Sequence, residues 1–264
     1  MKPFFAIISA RFRLLLQYRA AAVAGLITQI IFGLIITMVF QAFYRSGDLK
    51  NPPMTLAEVV TYVWLGQALL GILPWNGDPE IRALVRSGGV AYETLRPVNL
   101  YVYWFARAIA LRTAPTLLRA VPMVILALTF FGMRPPESLP AGCGFLLVMV
   151  GTIALSCAIT VLVGISLMWT ISGEGQIQLL PAVVTLFSGM LVPIPLFPEW
   201  ARPIVEWLPF KGLVDAPYRV YLGHIPLEDI GGVILHQWIW VGLLVIGGTA
   251  LMHRGLRKLT IQGG

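Results

Sequence analysis

Long stretches without a single charge dominate this sequence, and they restrict the folds that it can adopt. Residues 20–40 contain no Asp, Glu, Lys or Arg, and neither do residues 138–173. A bilayer core of about 30 Å requires about 20 apolar residues per helix. Hydrophobic residues fill 58% of the 264 positions and charged residues only 12%. The sequence therefore predicts an all-α, polytopic membrane protein whose residues 1–264 form a single transmembrane domain.

The length of the charge-free stretches predicts six transmembrane helices. The third must include Arg112 and Arg119, because the charge-free stretch 120–133 is too short to span alone. These two arginines share a helical face, and we expect them to reach the membrane surface, face a water-filled cleft or pair with an acid. The six predicted spans are 20–40, 59–75, 111–133, 138–173, 175–198 and 230–252.

The distribution of basic residues predicts the orientation. Thirteen of the 19 Lys and Arg residues lie in the segments that share a side with both termini, or at the adjoining end of the third span. The positive-inside rule places that side in the cytoplasm. Residues 1–19 carry apolar side chains on one helical side, which predicts an interfacial helix on the inner leaflet; the alternative is a simple extension of the first span.

A charged island, DPEIRALVRSGGVAYETLRPVN, interrupts the apolar stretches at residues 78–99. Asp78 suits a helix N-cap and Pro79 the first helical position. Apolar side chains then share one face and two arginines another, which predicts a short amphipathic helix in 78–95 that contacts another protein. A very short turn after the fourth span is either a second contact or merely solvated. The candidate contact residues are Glu80, Ile81, Arg82, Leu84, Val85, Arg86, Glu93 and Glu174.

The segment 193–229, on the outer side, is rich in proline and aromatic residues. Seven prolines divide it into short pieces, and aromatic side chains at this density are typical of the membrane interface. Two short re-entrant helices that enter the outer leaflet explain this pattern better than a solvated loop does. Irregular backbone at that depth must be covered by protein, so we expect the segment to cap the helix bundle.

Polar residues on the second and fifth spans predict a translocation path. Most such residues only bond neighbouring helices, but these lie beside Phe and Met and can line a mixed apolar and polar cavity. His236, alone within the last span, is either functional or a bridge between helices. The candidate path residues are Tyr62, Gln67, Thr185, Phe187, Ser188 and Met190.

The sequence lacks the motifs of several enzyme classes. A nucleotide-binding loop needs Gly before its Lys, whereas the four lysines follow Met, Leu, Phe and Arg. Neither Gly-x-Ser-x-Gly nor His-Glu-x-x-His occurs. We therefore expect a transport subunit, not an enzyme, without an ATPase site or a metal of its own.

Three stretches resemble the permeases of the ABC-2-type exporter superfamily. They are the island quoted above, the outer segment LVPIPLFPEWARPIVEWLPF and the tail RGLRKLTIQGG. The resemblance implies the fold of the G-subfamily-like exporters: an N-terminal interfacial helix, six spans, a coupling helix between spans two and three, and outer re-entrant helices between spans five and six. It also implies a location in the bacterial cytoplasmic (inner) membrane, with both termini cytoplasmic.

The resemblance further implies the partners and the function. This chain would form the translocation path of an ATP-binding cassette exporter with a second permease, either a related chain or a second copy. Two copies of a separate cytoplasmic ATPase would bind ATP and Mg, while this chain binds no cofactor. The alternative function is a non-transporting membrane anchor or an intramembrane enzyme. The cargo is not implied.

Overall fold

The computed structural model describes residues 2–46, 52–170 and 174–257, and all regular secondary structure in these ranges is helical. Short 3₁₀ helices follow α3 and divide the outer segment. The α-helices are α1 (Lys2–Leu15), α2 (Arg19–Arg45), α3 (Leu56–Ala68), α4 (Pro79–Arg86), α5 (Val90–Glu93), α6 (Leu100–Phe130), α7 (Leu139–Ser166), α8 (Glu174–Phe187), α9 (Arg202–Trp207), α10 (Asp215–Tyr221) and α11 (Ile230–Leu256).

Four helical segments in the described ranges are long and apolar enough to cross a membrane. They are α2, α6, α7 and the segment Leu227–Leu256, which contains α11. The shortest of these four has 27 residues, about 40 Å of helix at 1.5 Å per residue, and this exceeds the bilayer core. The prediction of an all-helical, multi-pass membrane protein is confirmed.

The other two predicted spans are shorter as helices. The helix α3 has 13 residues and α8 has 14, which correspond to only about 20 Å each. Beyond α3 the chain continues through a 3₁₀ helix, Leu70–Ile72. The helix α8 stops at Phe187 because Gly189 has a φ of +85°, a left-handed conformation that ends helices. Helix length in the described ranges thus gives four spans, and the six-span count stays a prediction.

The third predicted span lies within a longer helix, α6. This helix has 31 residues and starts at Leu100, where the Asn99 side chain accepts a hydrogen bond from the Val102 amide at 3.2 Å. Arg107 consequently lies inside the helix. Its charge is compatible with that position because acidic residues of the same chain neutralise it, as described below.

The helix α7 is the centre of the bundle and packs against α6, α10 and α11. On its contact with α11, the buried Gln237 side chain donates hydrogen bonds to Thr152 Oγ1 at 3.1 Å and to the Gly212 carbonyl at 2.9 Å. A Cβ atom at Gly151 would clash with Gln237. This helix pair therefore approaches closely because a glycine faces a hydrogen-bonded glutamine.

The helix α2 lies at the edge, packing against α3 and α6. Its buried residues are Gln29, Gly33 and Thr37, and the ring of Trp64 fills the notch at Gly33, where any Cβ would clash. Large apolar side chains such as Phe32 and Met38 are exposed on the rest of the helix. That face contacts lipid or another subunit.

The outer segment contains the two short α-helices expected from its proline spacing, α9 and α10. Asp215, at the start of α10, is buried, and its Oδ1 accepts hydrogen bonds from the Ile194 amide at 3.1 Å and from the Tyr62 hydroxyl at 3.3 Å. These bonds fasten the outer segment to α3. The position of α9 and α10 relative to the outer leaflet stays a prediction.

The predicted orientation can be tested with single cysteines at Ser87 and Glu199, which are both exposed. In a Cys143→Ser background, because Cys143 is itself exposed and Cys157 is buried, an impermeant maleimide should label position 199 in intact cells. Position 87 should react only after permeabilisation. Labelling at 87 but not at 199 in intact cells would show that the orientation is inverted.

Candidate functional site

The island at residues 78–99 folds into two short helices rather than one. Asp78 caps α4 by accepting a hydrogen bond from the Glu80 amide at 2.9 Å, and Pro79 occupies the first turn, as the sequence predicted. Gly88 has a φ of +71°, which ends this helix and turns the chain into α5. The predicted single helix of 78–95 is therefore interrupted at its glycine pair.

A network of ion pairs joins α4 to two other helices. Arg107 of α6 donates to Asp78 Oδ2 from Nε at 3.0 Å and from Nη2 at 2.9 Å. Its Nη2 also donates to Glu80 Oε2 at 2.7 Å. Arg11 of α1 lies 2.5 Å from Glu80 Oε1 through its Nη2. One network of ion pairs thus connects α1 and α4 to α6, one of the helices long enough to cross a membrane.

The ion pairs keep the outermost member of this network charged. Partial burial by itself would raise the pKa of Glu80, but hydrogen bonds and attraction from Arg107 and Arg11 outweigh it and hold the pKa below its usual range. Glu80 is therefore ionised at neutral pH. The two arginines share it as a common acceptor.

The apolar face of α4 packs against the protein itself, contrary to the predicted contact with a partner. Ile81 is only 3% exposed and belongs to a buried cluster with Val90 and Trp104. A Cβ at Gly164 would lie 3.3 Å from Ile81 Cγ2, so α7 is in direct contact. The half-buried Leu84 and Val85 pack against the same cluster. An amphipathic pattern identifies an apolar face but not which surface covers it.

The charged residues of the island also differ in burial. Glu93 is buried and forms an ion pair with Arg96 at 2.9 Å. Arg82 is half-buried and Arg86 is exposed. Glu174 is the first residue of α8, but its side chain and residues 171–173 lie outside the described residues.

Two exposed apolar residues of the island were missed by the sequence reasoning. Tyr92 is 76% exposed and Leu95 is 80% exposed. Both follow the buried Val90 in a segment that is too short to show a helical period. Their position after the glycine pair was the one sequence feature that could have indicated their exposure. Exposed apolar side chains beside a membrane span contact either lipid or another protein.

A cavity of about 270 Å³ lies between α2, α3 and the end of α8. Three of the six predicted path residues, Gln67, Thr185 and Met190, line it. The first span contributes Thr28 and Gln29, which the sequence reasoning did not select.

The other three predicted path residues lie elsewhere, where they fasten the outer segment. The Tyr62 hydroxyl bonds Asp215 as described, and its ring packs edge-to-face on Tyr218 with centroids 5.1 Å apart. The Ser188 carbonyl accepts a hydrogen bond from the Asp215 amide at 3.1 Å. Phe187 stacks on Phe210 at 6.3 Å. These residues hold α3 and α8 to the outer segment rather than line the cavity.

Residues 26–263 match the model of the family described as ABC-2 family transporter protein. The chain belongs to this family. The earlier resemblance to ABC-2-type permeases is thus confirmed. No curated protein matches the sequence. Membership makes the chain a membrane component of an ABC transporter, a system that includes an ATPase partner.

One buried arginine holds the end of α3 in this ABC-2 protein. Arg112 is buried, and it donates to the Leu73 carbonyl at 2.9 Å, to the Asn76 carbonyl and to Thr160 Oγ1. The Ser156 hydroxyl donates to the Ile72 carbonyl. These bonds satisfy carbonyls that lose their helical partners where α3 ends. Arg112 therefore pairs with neutral oxygens in the described residues rather than with an acid.

His236 bridges two helices in the ABC-2 protein, the simpler of its two predicted roles. Its Nε2 lies 3.3 Å from the Trp207 carbonyl, which joins α11 to α9. Among the residues that the structure describes, no group of three His, Cys, Asp or Glu is placed to hold a metal.

Proposed function

We propose that this chain is the permease subunit of an ATP-driven exporter and that the ATPase docks on residues 78–95. The observation that carries the proposal is the ion-pair network of Arg107, Asp78, Glu80 and Arg11. Stability alone is a weak reason for such a connection, because the desolvation cost of a buried ion pair offsets much of its Coulombic gain. A docking element needs it, because force applied to α4 must reach the spans.

The exposed surface of the island supplies the contact. Tyr92 and Leu95 offer apolar side chains that can be desolvated in a groove of the ATPase. Arg86 lies nearby on the chain and would select carboxylates on the motor and fix the register. Arg82, Leu84 and Val85, which are half-buried, would meet the rim of such a contact, while Ile81, Glu80 and Glu93 hold the helices in place. The turn at Glu174 would offer a second contact.

The proposal extends to the arrangement of the complex. Six spans, with both termini in the cytoplasm of a bacterium, follow if α3 and α8 cross the membrane together with their non-helical extensions. The exposed apolar face of α2 suits contact with a second permease, and two copies of the ATPase would bind ATP and Mg. Export is supported by the resemblance to ABC-2-type exporters. The cavity lined by Gln67, Thr185 and Met190 would belong to the translocation path.

The docking surface can be tested with Leu95→Asp. A charge in a desolvated contact is costly, so we expect the amount of ATPase that co-purifies with the tagged chain to fall about tenfold or more, along with Mg-dependent ATP hydrolysis. Leu139→Asp is the matched control, since Leu139 is 83% exposed at the start of α7, on the predicted outer side. Normal association and hydrolysis with Leu95→Asp would show that the motor docks elsewhere.

A further inference from the structure

A second cavity, of about 280 Å³, lies at the end of α3 beside α6. Arg112 and Arg119 both line it, and its described lining contains no Asp or Glu. Two guanidinium groups on one cavity within a membrane-spanning helix produce a strong positive potential. Such groups are costly in a membrane unless they meet water, polar groups or an anion.

Arg119 has unused hydrogen-bonding capacity in this cavity. Its Nε donates to the Pro115 carbonyl of its own helix at 3.2 Å, and within the described residues its Nη1 and Nη2 make no hydrogen bond. A guanidinium carries five N–H donors in a planar fork that matches carboxylate and phosphate. Most of this fork is therefore available to a ligand.

The Arg119 fork lies against two glycines, one of which leaves the space for it. A Cβ at Gly25 on α2 would lie 2.9 Å from Arg119 Nη1, and a Cβ at Gly71 would lie 3.5 Å from Nη2. A side chain at Gly25 would crowd the guanidinium, whereas one at Gly71 would clash with Thr116 and reach only ordinary van der Waals distance from Arg119. The lack of a side chain at Gly25 lets the arginine extend toward α2.

The cationic cavity adjoins the apolar cavity described above. Leu70 and Trp75 line both of them. Apart from Thr28, Gln29, Gln67 and Thr185, the cavity between α2, α3 and α8 is lined by apolar side chains. The two volumes together fall in the range of small-molecule sites, about 300–1,000 Å³. One ligand can thus place a charged group at Arg119 and an apolar body beyond Trp75.

We propose that the two cavities form one binding site for an amphipathic anion, with a carboxylate, sulfate or phosphate head and an apolar tail. Arg119 binds the head, Arg112 adds positive potential while holding the backbone at the end of α3, and the cavity around Gln67 and Met190 takes the tail. That this ligand is cargo rests on the proposed function as a permease. The binding itself does not, and a bilayer lipid and an exported amphiphile share the same chemistry.

Binding can be measured on the full-length chain in nanodiscs of zwitterionic lipid. The probe is stearate with a nitroxide on its chain, which quenches tryptophan fluorescence, and alkaline pH keeps its carboxyl ionised. We expect saturable quenching that is absent in Trp75→Phe, because Trp75 lies between the two cavities. The methyl ester of the same probe, which lacks the charge, should not saturate.

The head-group contact is tested with Arg119→Gln. Its affinity for the stearate probe should fall about tenfold, since a charge-assisted contact is lost. Arg119→Lys should recover part of the affinity, and Arg13→Gln, which removes an exposed arginine on α1, should leave it unchanged. Equal affinity of Arg119→Gln and the original chain would overturn the proposal. So would equal binding of the acid and its ester, a comparison that needs no variant and therefore holds even if Arg119→Gln fails to fold.

Adding phosphatidylglycerol to the discs distinguishes a bilayer lipid from an exported amphiphile as the source of the ligand. Weaker apparent binding of stearate supports the site with a bilayer lipid as its ligand, and unchanged binding supports it with an amphiphile that outcompetes lipid. Co-purification of the ATPase is measured on the same preparations. If the original chain associates with the ATPase but shows no saturable stearate binding, the amphiphile site alone is overturned. If it binds stearate but does not associate with an ATPase, the permease assignment alone is overturned.

Discussion

Arg107→Ala is expected to destabilise the folded protein by about 3–5 kcal/mol, because it leaves Asp78 buried without a cation. The Asp78 side chain is 1% exposed and that of Arg107 is 9% exposed, so water cannot replace the lost pair. Glu80 would retain Arg11, but the connection from α4 to α6 would be gone. We therefore also expect ATP hydrolysis in the complex to stop responding to the permease. Thermal unfolding of the purified chain and ATPase assays of the complex measure the two effects.

The control for this experiment is Arg13→Ala, which removes an exposed arginine from α1. It should change the unfolding temperature little, since exposed charges contribute about 0–1 kcal/mol. Asp78→Asn with Arg107 intact should also be destabilising, because the cation then loses its buried partner. If Arg107→Ala unfolds at the same temperature as the original chain, the network is not what holds α4 to α6.

The second large effect is expected from Ile81→Asp. It removes a side chain from the cluster around Trp104 and places a carboxylate there, and we expect a loss of about 4 kcal/mol or more in the stability of the isolated chain. Ile81→Val, which removes one methylene, should cost only about 1 kcal/mol. Thermal unfolding in the absence of the ATPase measures both variants.

This experiment also separates two roles for α4. If the face with Ile81 contacted the ATPase, as the sequence pattern suggested, Ile81→Asp would abolish association while leaving the unfolding temperature of the isolated chain unchanged. Because Ile81 is buried within the chain, we expect Ile81→Asp to lower the unfolding temperature of the isolated chain. Leu95→Asp should reduce association with the ATPase and leave the unfolding temperature of the isolated chain unchanged.

Local features of the island were predictable from sequence because they depend on neighbouring residues. Asp78, Pro79 and Asn99 cap or start helices through their own side chains and the adjacent backbone, and Gly88 ends α4 through its own left-handed conformation. The inward direction of Ile81 was not predictable, because it depends on Gly164, which is 83 positions away in sequence. No helical period specifies that contact.

The charges in the spans illustrate the same limit. The length that a span requires placed the third span near residues 111–133, and α6 extends from there back to Leu100. Arg107 is accommodated in that helix by Asp78 and Glu80, which belong to a different segment. The acidic partners of Arg107 thus come from a segment that the sequence of α6 does not specify.

The cavity was predicted in part. Polarity within an apolar span correctly indicated Gln67 and Thr185, and it also indicated Tyr62 and Ser188, which bond the outer segment instead. Sequence polarity shows that a side chain needs a partner inside the membrane, but the partner's identity is decided by the fold. Trp75 lines both this cavity and the one that contains Arg119. That neighbourhood could be seen only in the structure.

The way in which α3 ends has a mechanical consequence. Carbonyls of Ile72, Leu73 and Asn76 are held by Ser156 and Arg112, which belong to α7 and α6. The segment 70–76 is thereby joined to two neighbouring helices, whereas Leu56–Ala68 is buried against α2 and α6 and joined to the outer segment through Tyr62 and Asp215. Under the proposed docking, a movement of α6 that starts at α4 would therefore also displace α3 and reach the outer segment.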